Sequence, residues 1–445
     1  MNAEAQNTST LITTQPAALR PHPTKLFVET SSRCNLNCTM CVKHNQPSRV
    51  IDGDLSPEMF AALLPALPHL EALILNGVGE PLLNSHLEEY ILTARQFMPS
   101  HGWIGFQTNG LLMSEQRALA LVEAGLDRVC VSVDAIVPET FTAVREGGTV
   151  EGVEQALAAL VQARKQCQRP DMLIGIEFVA MRSTIKQLPA TLAWAARRGV
   201  NFAIVTHMLP YDQKNADEAL YSTISDTAFE IYAAWHEKAA QAGLDLNSYI
   251  ATLKKYTRTA DEVAVIAMIK AMKDEAAERN VMLDVIKLIQ HDRQHSDQIR
   301  DIFEEAHVVA ARTGLELRLP ELALKEHRSC SFVEEGSAFV SWNGDISPCY
   351  FLWHSYDCYA SGWQQQVKPT TFGNLADNDI QEIWNTPHFT DFRRNVLGYD
   401  YPSCASCGLS PCDYVQTEQF EQDCHVRTVP CGACLWCTGV FQCLR

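Results

Sequence analysis

The stretch Ser32-Arg33-Cys34-Asn35-Leu36-Asn37-Cys38-Thr39-Met40-Cys41 sets three cysteines on one short loop in C-x3-C-x2-C spacing. It directly follows the β-rich run Lys25-Leu26-Phe27-Val28-Glu29-Thr30. Three thiolates so close together suit a cubane iron–sulfur cluster, which as a rule takes four cysteine ligands. A set that stops at three leaves one iron open to a small molecule. The competing readings are a zinc knuckle completed by His44, or three unrelated thiols.

Composition narrows the field. The chain has 445 residues, 47% apolar and 20% charged, enough for two or three domains with a large core. Its 36 basic and 53 acidic side chains give a net charge of −17, a field that disfavours non-specific nucleic-acid binding, so no nucleic-acid partner is expected. No apolar run approaches the roughly 18 residues of a spanning helix, and no membrane association is expected. Residues 1–24 lack a basic start followed by an apolar core and read as a flexible polar leader rather than a secretory signal. Sixteen cysteines without an export signal point to metal ligands, not disulfides, and to a reducing cytoplasm.

Beyond the cysteine loop, short β-rich runs alternate with longer helical patterns. Strands are expected at 25–30, 72–76, 103–108, 128–133, 173–179 and 202–206, and helices at 55–67, 86–97, 114–124, 150–167 and 184–198. Strands separated by helices imply right-handed crossovers and a parallel sheet. The fold class is therefore α/β: a partial (β/α)6 barrel over 25–210, with its chemistry at the carboxyl ends of the strands. From 211 to 318 apolar residues recur at helical spacing, which predicts a helical insertion or cap. Residues 319–445 form a small Cys-rich α+β region.

The cysteine loop after a first strand resembles the radical SAM superfamily. That resemblance implies a [4Fe-4S] cluster on Cys34, Cys38 and Cys41, whose open iron is chelated by the amino and carboxylate groups of S-adenosylmethionine (SAM). Asn76-Gly77-Val78-Gly79-Glu80-Pro81 ends the second strand and is similar to the family's Gly-Gly-Glu element. Its glycines allow close backbone approach, and a backbone carbonyl with Glu80 can receive the SAM ammonium. Ser132 and Asp134 share one face at the end of the fourth strand. By the same resemblance Ser132 contacts the SAM carboxylate or ribose, Asp134 lies close by, and Arg145 supplies a guanidinium for the carboxylate. Asn109, in an Asn-Gly pair that is otherwise a simple turn, is a further polar contact. Glu177, Arg182 and His207 are expected in the wall of the SAM or substrate pocket.

The carboxy-terminal part carries Cys330-x13-Gly344-x4-Cys349, then Cys404, Cys407, Cys412 and Cys424, then Cys431, Cys434, Cys437 and Cys443. Residues 338–349 read as a β-hairpin turning at Asn343-Gly344. This region resembles the SPASM extension, which implies one or two auxiliary [4Fe-4S] clusters on these ten cysteines; structural zinc sites are the alternative. The late cysteine block is stretched relative to the family pattern, so cluster assignment stays open. Cys130 and Cys167 are expected to pack as small hydrophobes, and Cys358 is open between the two roles. The closing run Cys431-Gly432-Ala433-Cys434-Leu435-Trp436-Cys437 looks like the radical SAM maturases accompanying tungsten-containing aldehyde:ferredoxin oxidoreductases. The family implies an enzyme that cleaves SAM to a 5′-deoxyadenosyl radical and abstracts hydrogen from a protein, peptide or protein-bound cofactor, with a low-potential ferredoxin or flavodoxin as reductant. Peptide-type and sulfatase-type maturases are rivals, as is a non-catalytic iron–sulfur electron carrier. Arg393, Arg394 and Arg445 are candidates for a basic docking patch.

Overall fold

The computed structural model describes residues 15–44, 49–404 and 431–445. Its centre is a nine-stranded sheet. The strands are β1 (Lys25–Val28), β2 (Ala72–Ile74), β3 (Trp103–Thr108), β4 (Arg128–Ser132), β5 (Leu173–Ala180), β6 (Phe202–His207), β7 (Glu316–Arg318), β8 (Ser337–Val340) and β9 (Ile346–Ser347). In space they run β9-β8-β1-β2-β3-β4-β5-β6-β7, every neighbouring pair parallel except β8 with β9. Apolar and β-branched runs such as Ala72-Leu73-Ile74 are buried along their whole length, as expected of a parallel sheet covered on both faces. The six expected strands are therefore present in chain order, and the α/β class holds.

Both edges of the sheet carry strands from farther along the chain. Helix Arg293–Thr313 lies over helix Leu188–Ala196 and delivers β7 to the edge of β6. The end of the expected 211–318 insertion thus packs with the sheet. A separate apolar cluster, including Ile231, Val265, Ile269 and Leu288, forms the insertion's own core. At the other edge β8 pairs with β1, so the expected hairpin of the Cys-rich region is part of the main sheet. Gly344 makes its turn at φ +89, a conformation suited to glycine. The tail then crosses from one edge to the other: Gln442 N–H donates to Thr206 Oγ1 at 3.1 Å, and Arg445 lies 3.8 Å from Glu335, just before β8.

Three further expectations change. The expected helix 55–67 is helical only over Pro57–Ala61, because Pro65 and Pro68 lack the N–H that would continue it. Residues 15–24 of the expected flexible leader are packed: Ala18 is fully buried, and Trp384 Nε1 donates to the Arg20 carbonyl at 2.8 Å. The three arginines expected in a basic docking patch are each buried or ion-paired. Arg393 is 1% exposed, stacks 3.5 Å over the Trp384 ring and donates to the Ala18 carbonyl, and burial lowers its pKa to about 9. Arg394 and Arg445 are paired with Asp391 and Glu335. No helix among the described residues is long and apolar enough to cross a membrane.

Candidate SAM and iron–sulfur site

The cysteine loop leaves β1 and folds back over the strand ends. Its fixed point is a two-residue antiparallel pairing in which Cys38 faces Arg145 and Asn37 faces Glu146. Thr39 N–H donates to the Val144 carbonyl at 2.9 Å, and Lys43 Nζ donates to the Ser32 carbonyl at 2.7 Å. Cys34, Cys38 and Cys41 all line one cavity, opposite Gly77, Gly79, Glu80, Ser132, Arg145 and Glu177. Burial pushes all three thiols up, Cys41 to about 12. Desolvated thiols that share a cavity become thiolates readily only when a metal supplies compensating charge. This donor set fits an iron–sulfur cluster. His44 does not line the cavity, and its buried Nε2 has no partner among the described residues.

The Gly77–Glu80 loop sits directly on the cysteine loop. Glu80 N–H donates to the Arg33 carbonyl at 2.7 Å, and a Cβ at Gly79 would overlap the carbonyl oxygens of Arg33 and Ser31. Glu80 is buried, and that burial raises its pKa. Its carboxylate accepts from Thr108 Oγ1 at 2.6 Å, Asn109 N–H at 2.8 Å and Leu82 N–H at 3.1 Å. A carboxylate has about four lone-pair sites, so these three donors leave one unused on a side chain that lines the cavity. Asn109 closes its own turn, accepting from Leu111 N–H at 3.0 Å, and donates to Asn35 on the cysteine loop at 2.8 Å.

Arg145 is not a free guanidinium. Its Nε donates to Asp134 Oδ2 at 2.6 Å, while its NH1 stands 4.0 Å from Cys38 Sγ. Asp134 is wholly buried and accepts the Val179 N–H at 2.8 Å. It acts on Arg145 and does not line the cavity. Glu177 lies across from Ser132 in register and does line it. Burial outweighs nearby Arg145 and raises the Glu177 carboxyl to about 7.

Two expected wall residues are elsewhere. Arg182 donates from Nε to the Asp217 carbonyl at 2.9 Å, tying the strand end to the start of the insertion. His207 faces Tyr221 and Phe303, its Nε2 3.0 Å from the Glu321 carbonyl, and burial lowers its pKa to about 4. Its ring points away from the strand-end cavity because β6 is covered on that side by helix Arg293–Thr313 and the segment after β7. Residues the sequence reading left without a role also meet here: Gln107 lines the cavity, and Glu29, Tyr350 and His354 stand behind it. Glu29 left one signal, a lone acid directly following an apolar strand.

At the cysteine-rich end, Cys330, Cys349, Cys431, Cys434 and Cys437 are close enough to perturb one another. Burial raises Cys330, Cys349 and Cys431, whereas a hydrogen bond with Cys434 lowers Cys437. Cys404 N–H donates to Gly432 at 2.9 Å beside them. Cys443 lines a cavity with Cys437, and the charged groups around it are Arg445, Glu177, Glu335 and Lys25. Cys358 is fully buried among Tyr211, Tyr221 and Tyr356. Cys407, Cys412 and Cys424 lie outside the described residues.

A mostly parallel sheet with a three-cysteine loop over its strand ends defines a class, and the comparisons agree with it. The radical SAM superfamily matches residues 28–188, and the iron–sulfur cluster-binding SPASM domain matches residues 330–408. The chain belongs to the radical SAM superfamily and carries a SPASM extension. It is an enzyme whose radical SAM part binds a [4Fe-4S] cluster and SAM, and whose SPASM part binds auxiliary iron–sulfur clusters. Over 423 residues it is 25% identical to the tungsten-containing aldehyde ferredoxin oxidoreductase cofactor-modifying protein of Pyrococcus furiosus, covering 94% of this chain and 96% of that one. It is also 32% identical over 194 residues to a probable GTP 3′,8-cyclase of Methanococcus aeolicus, covering 42% of this chain and 60% of that relative. Among solved structures, Streptococcus suis SuiB bound to the precursor peptide SuiA aligns over 88% of this chain and 70% of that one, with TM-score 0.49 and 12% identity.

Proposed function

We propose that Cys34, Cys38 and Cys41 hold the SAM-binding cluster and that this maturase acts on the cofactor of a tungsten-containing oxidoreductase. The observation that carries the first part is the single cavity shared by the three thiols, Glu80, Ser132 and Arg145. The second rests on likeness to the Pyrococcus protein across 94% of the chain, insertion and cysteine-rich end included. When bound, the cluster supplies the electron that cleaves SAM to methionine and a 5′-deoxyadenosyl radical.

The chain's own groups do the holding. Arg145, fixed by Asp134 through Nε, keeps its remaining N–H groups for the SAM carboxylate. Glu80 offers its open lone pair to the ammonium, while Gly77 and Gly79 keep side chains out of the loop that flanks it. Ser132 and Asn109 add polar contacts along the same wall, and Glu177 can hold or release a proton near neutral pH. Met40, Met181 and Met208 cluster with Leu36 and Val144 beside the thiols and exclude water. The auxiliary set is Cys330, Cys349, Cys431, Cys434 and Cys437, from which a cubane would draw its ligands. Anaerobically reconstituted protein should form 5′-deoxyadenosine from SAM under a strong reductant, and the Cys34/Cys38/Cys41→Ala variant should not. Equal cleavage by that variant refutes the cluster assignment. Incubation with a tungsten oxidoreductase produced without this protein should change the mass of its extracted cofactor; an unchanged mass refutes the substrate.

A further inference from the structure

Glu29 directly follows β1 and is completely buried, yet nothing in its local sequence explains a carboxylate there. Its Oε1 accepts the Val78 N–H at 2.9 Å, from the middle of the Gly77–Glu80 loop. The same oxygen lies 3.1 Å from His354 Nε2, and Oε2 accepts the Trp342 N–H at 3.3 Å. A Cβ on Gly77 would overlap the Glu29 side chain, so the loop rests directly on it. Both His354 and Trp342 belong to the cysteine-rich end, on either side of Cys349. The Glu29 N–H also donates into β8, at the Val340 carbonyl, at 2.8 Å. A second link runs parallel: Asn76, just before the loop, donates to Tyr350 OH at 2.8 Å and to Gln107 Oε1 at 3.1 Å. Trp342 also reaches the cysteine loop's return path, donating from Nε1 to Ile51 at 3.1 Å and covering Gly53. Gly53 N–H in turn donates to Ser32 Oγ at 2.9 Å.

We infer that Glu29 is a positioning residue for the SAM-site loop, and that His354 of the cysteine-rich end holds it in place. The inference rests on reading the cavity as the SAM site. A buried carboxylate must have its oxygens satisfied, because an unpaired one is strongly disfavoured. Here one oxygen is shared by the loop and the carboxy-terminal region, so the two cannot shift independently. Geometry set around Cys349 is thereby transmitted to the backbone that faces SAM. A hydrogen-bonded side chain behind a binding loop tunes affinity without touching ligand, as outer-shell partners do at metal sites.

The test uses full-length, cluster-loaded protein under anaerobic conditions, with SAM affinity by equilibrium dialysis, iron content, thermal midpoint and the electron paramagnetic resonance spectrum of the reduced cluster. His354→Ala should raise the SAM dissociation constant roughly tenfold at unchanged iron content. It should also diminish the spectral change that SAM produces. His354→Gln restores an N–H donor and should recover most of both, and Tyr350→Phe should give a smaller loss through Asn76. Wild-type affinity and spectrum in His354→Ala, with only the thermal midpoint lowered, would overturn the inference and leave the pair a structural link. Wild-type protein that binds no SAM would sink the site reading and this inference together. Glu29→Gln adds the direct case; if it does not fold, the paired His354 variants decide.

Discussion

At the scale of single residues, the site depends on groups that face inward with their partners already arranged. Asp134 never touches the cavity, yet it fixes the angle of Arg145 through a 2.6 Å bond. Replacing Arg145 by Ala would therefore leave the buried Asp134 carboxylate without its charge partner and confound binding with stability. Glu177 is a cleaner probe, since burial raises its carboxyl from an ordinary 4.5 to about 7. Between those values the folded protein keeps a proton that the unfolded chain has lost. Its contribution to stability is full below about 4.5 and is lost as pH rises through about 7. Glu177→Gln should remove this dependence, so denaturant midpoints compared at pH 5 and pH 7.5 should fall more in wild type than in the variant. Equal changes in the two proteins would show that Glu177 does not titrate in that window.

Among the elements, the Gly77–Glu80 loop has the least room for change. A Cβ at Gly79 would meet backbone oxygens of Arg33 and Ser31, which cannot swing aside as a flexible side chain can. Gly79→Ala must push the two loops apart. It should cost about 1–3 kcal/mol of stability and lower iron incorporation by displacing Cys34. Full iron content and an unchanged denaturation midpoint would contradict this packing. The hairpin β8–β9 shows the opposite relation between element and context. Its Asn343-Gly344 turn is specified locally, but its pairing with β1 is specified by nothing nearby in the chain.

For the molecule as a whole, that pairing makes the cysteine-rich end part of the main sheet. A protein cut before Cys330 would lose β8 and expose the edge of β1, with its unpaired backbone groups and the apolar residues Leu26, Phe27 and Val28. Such a truncation should aggregate instead of surviving as a soluble barrel, checked by size-exclusion chromatography against full-length protein. A monodisperse, folded fragment would show that the carboxy-terminal region is dispensable for the fold. Helix Arg293–Thr313 and β7 make the same point at the other edge, where the end of the insertion returns to finish the sheet.

The sequence alone determined what short-range chemistry encodes. The Cys34–Cys41 spacing, the Gly77–Glu80 loop and the six apolar strand runs are local patterns, and the strands formed close to where their β-branched residues placed them. Ser132 was legible from strand alternation, Glu177 as an acid carried on the fifth strand, and Arg145 from the family resemblance. Tertiary structure decided everything that depends on which distant segments meet. It took Arg182 and His207 out of the cavity and buried Arg393 against Trp384. It also brought His354 to Glu29, 325 positions apart in the chain. The physical reason is register: a strand's own pattern states that it will pair and which faces it buries, while the neighbour it pairs with is chosen by the closure and packing of the whole sheet.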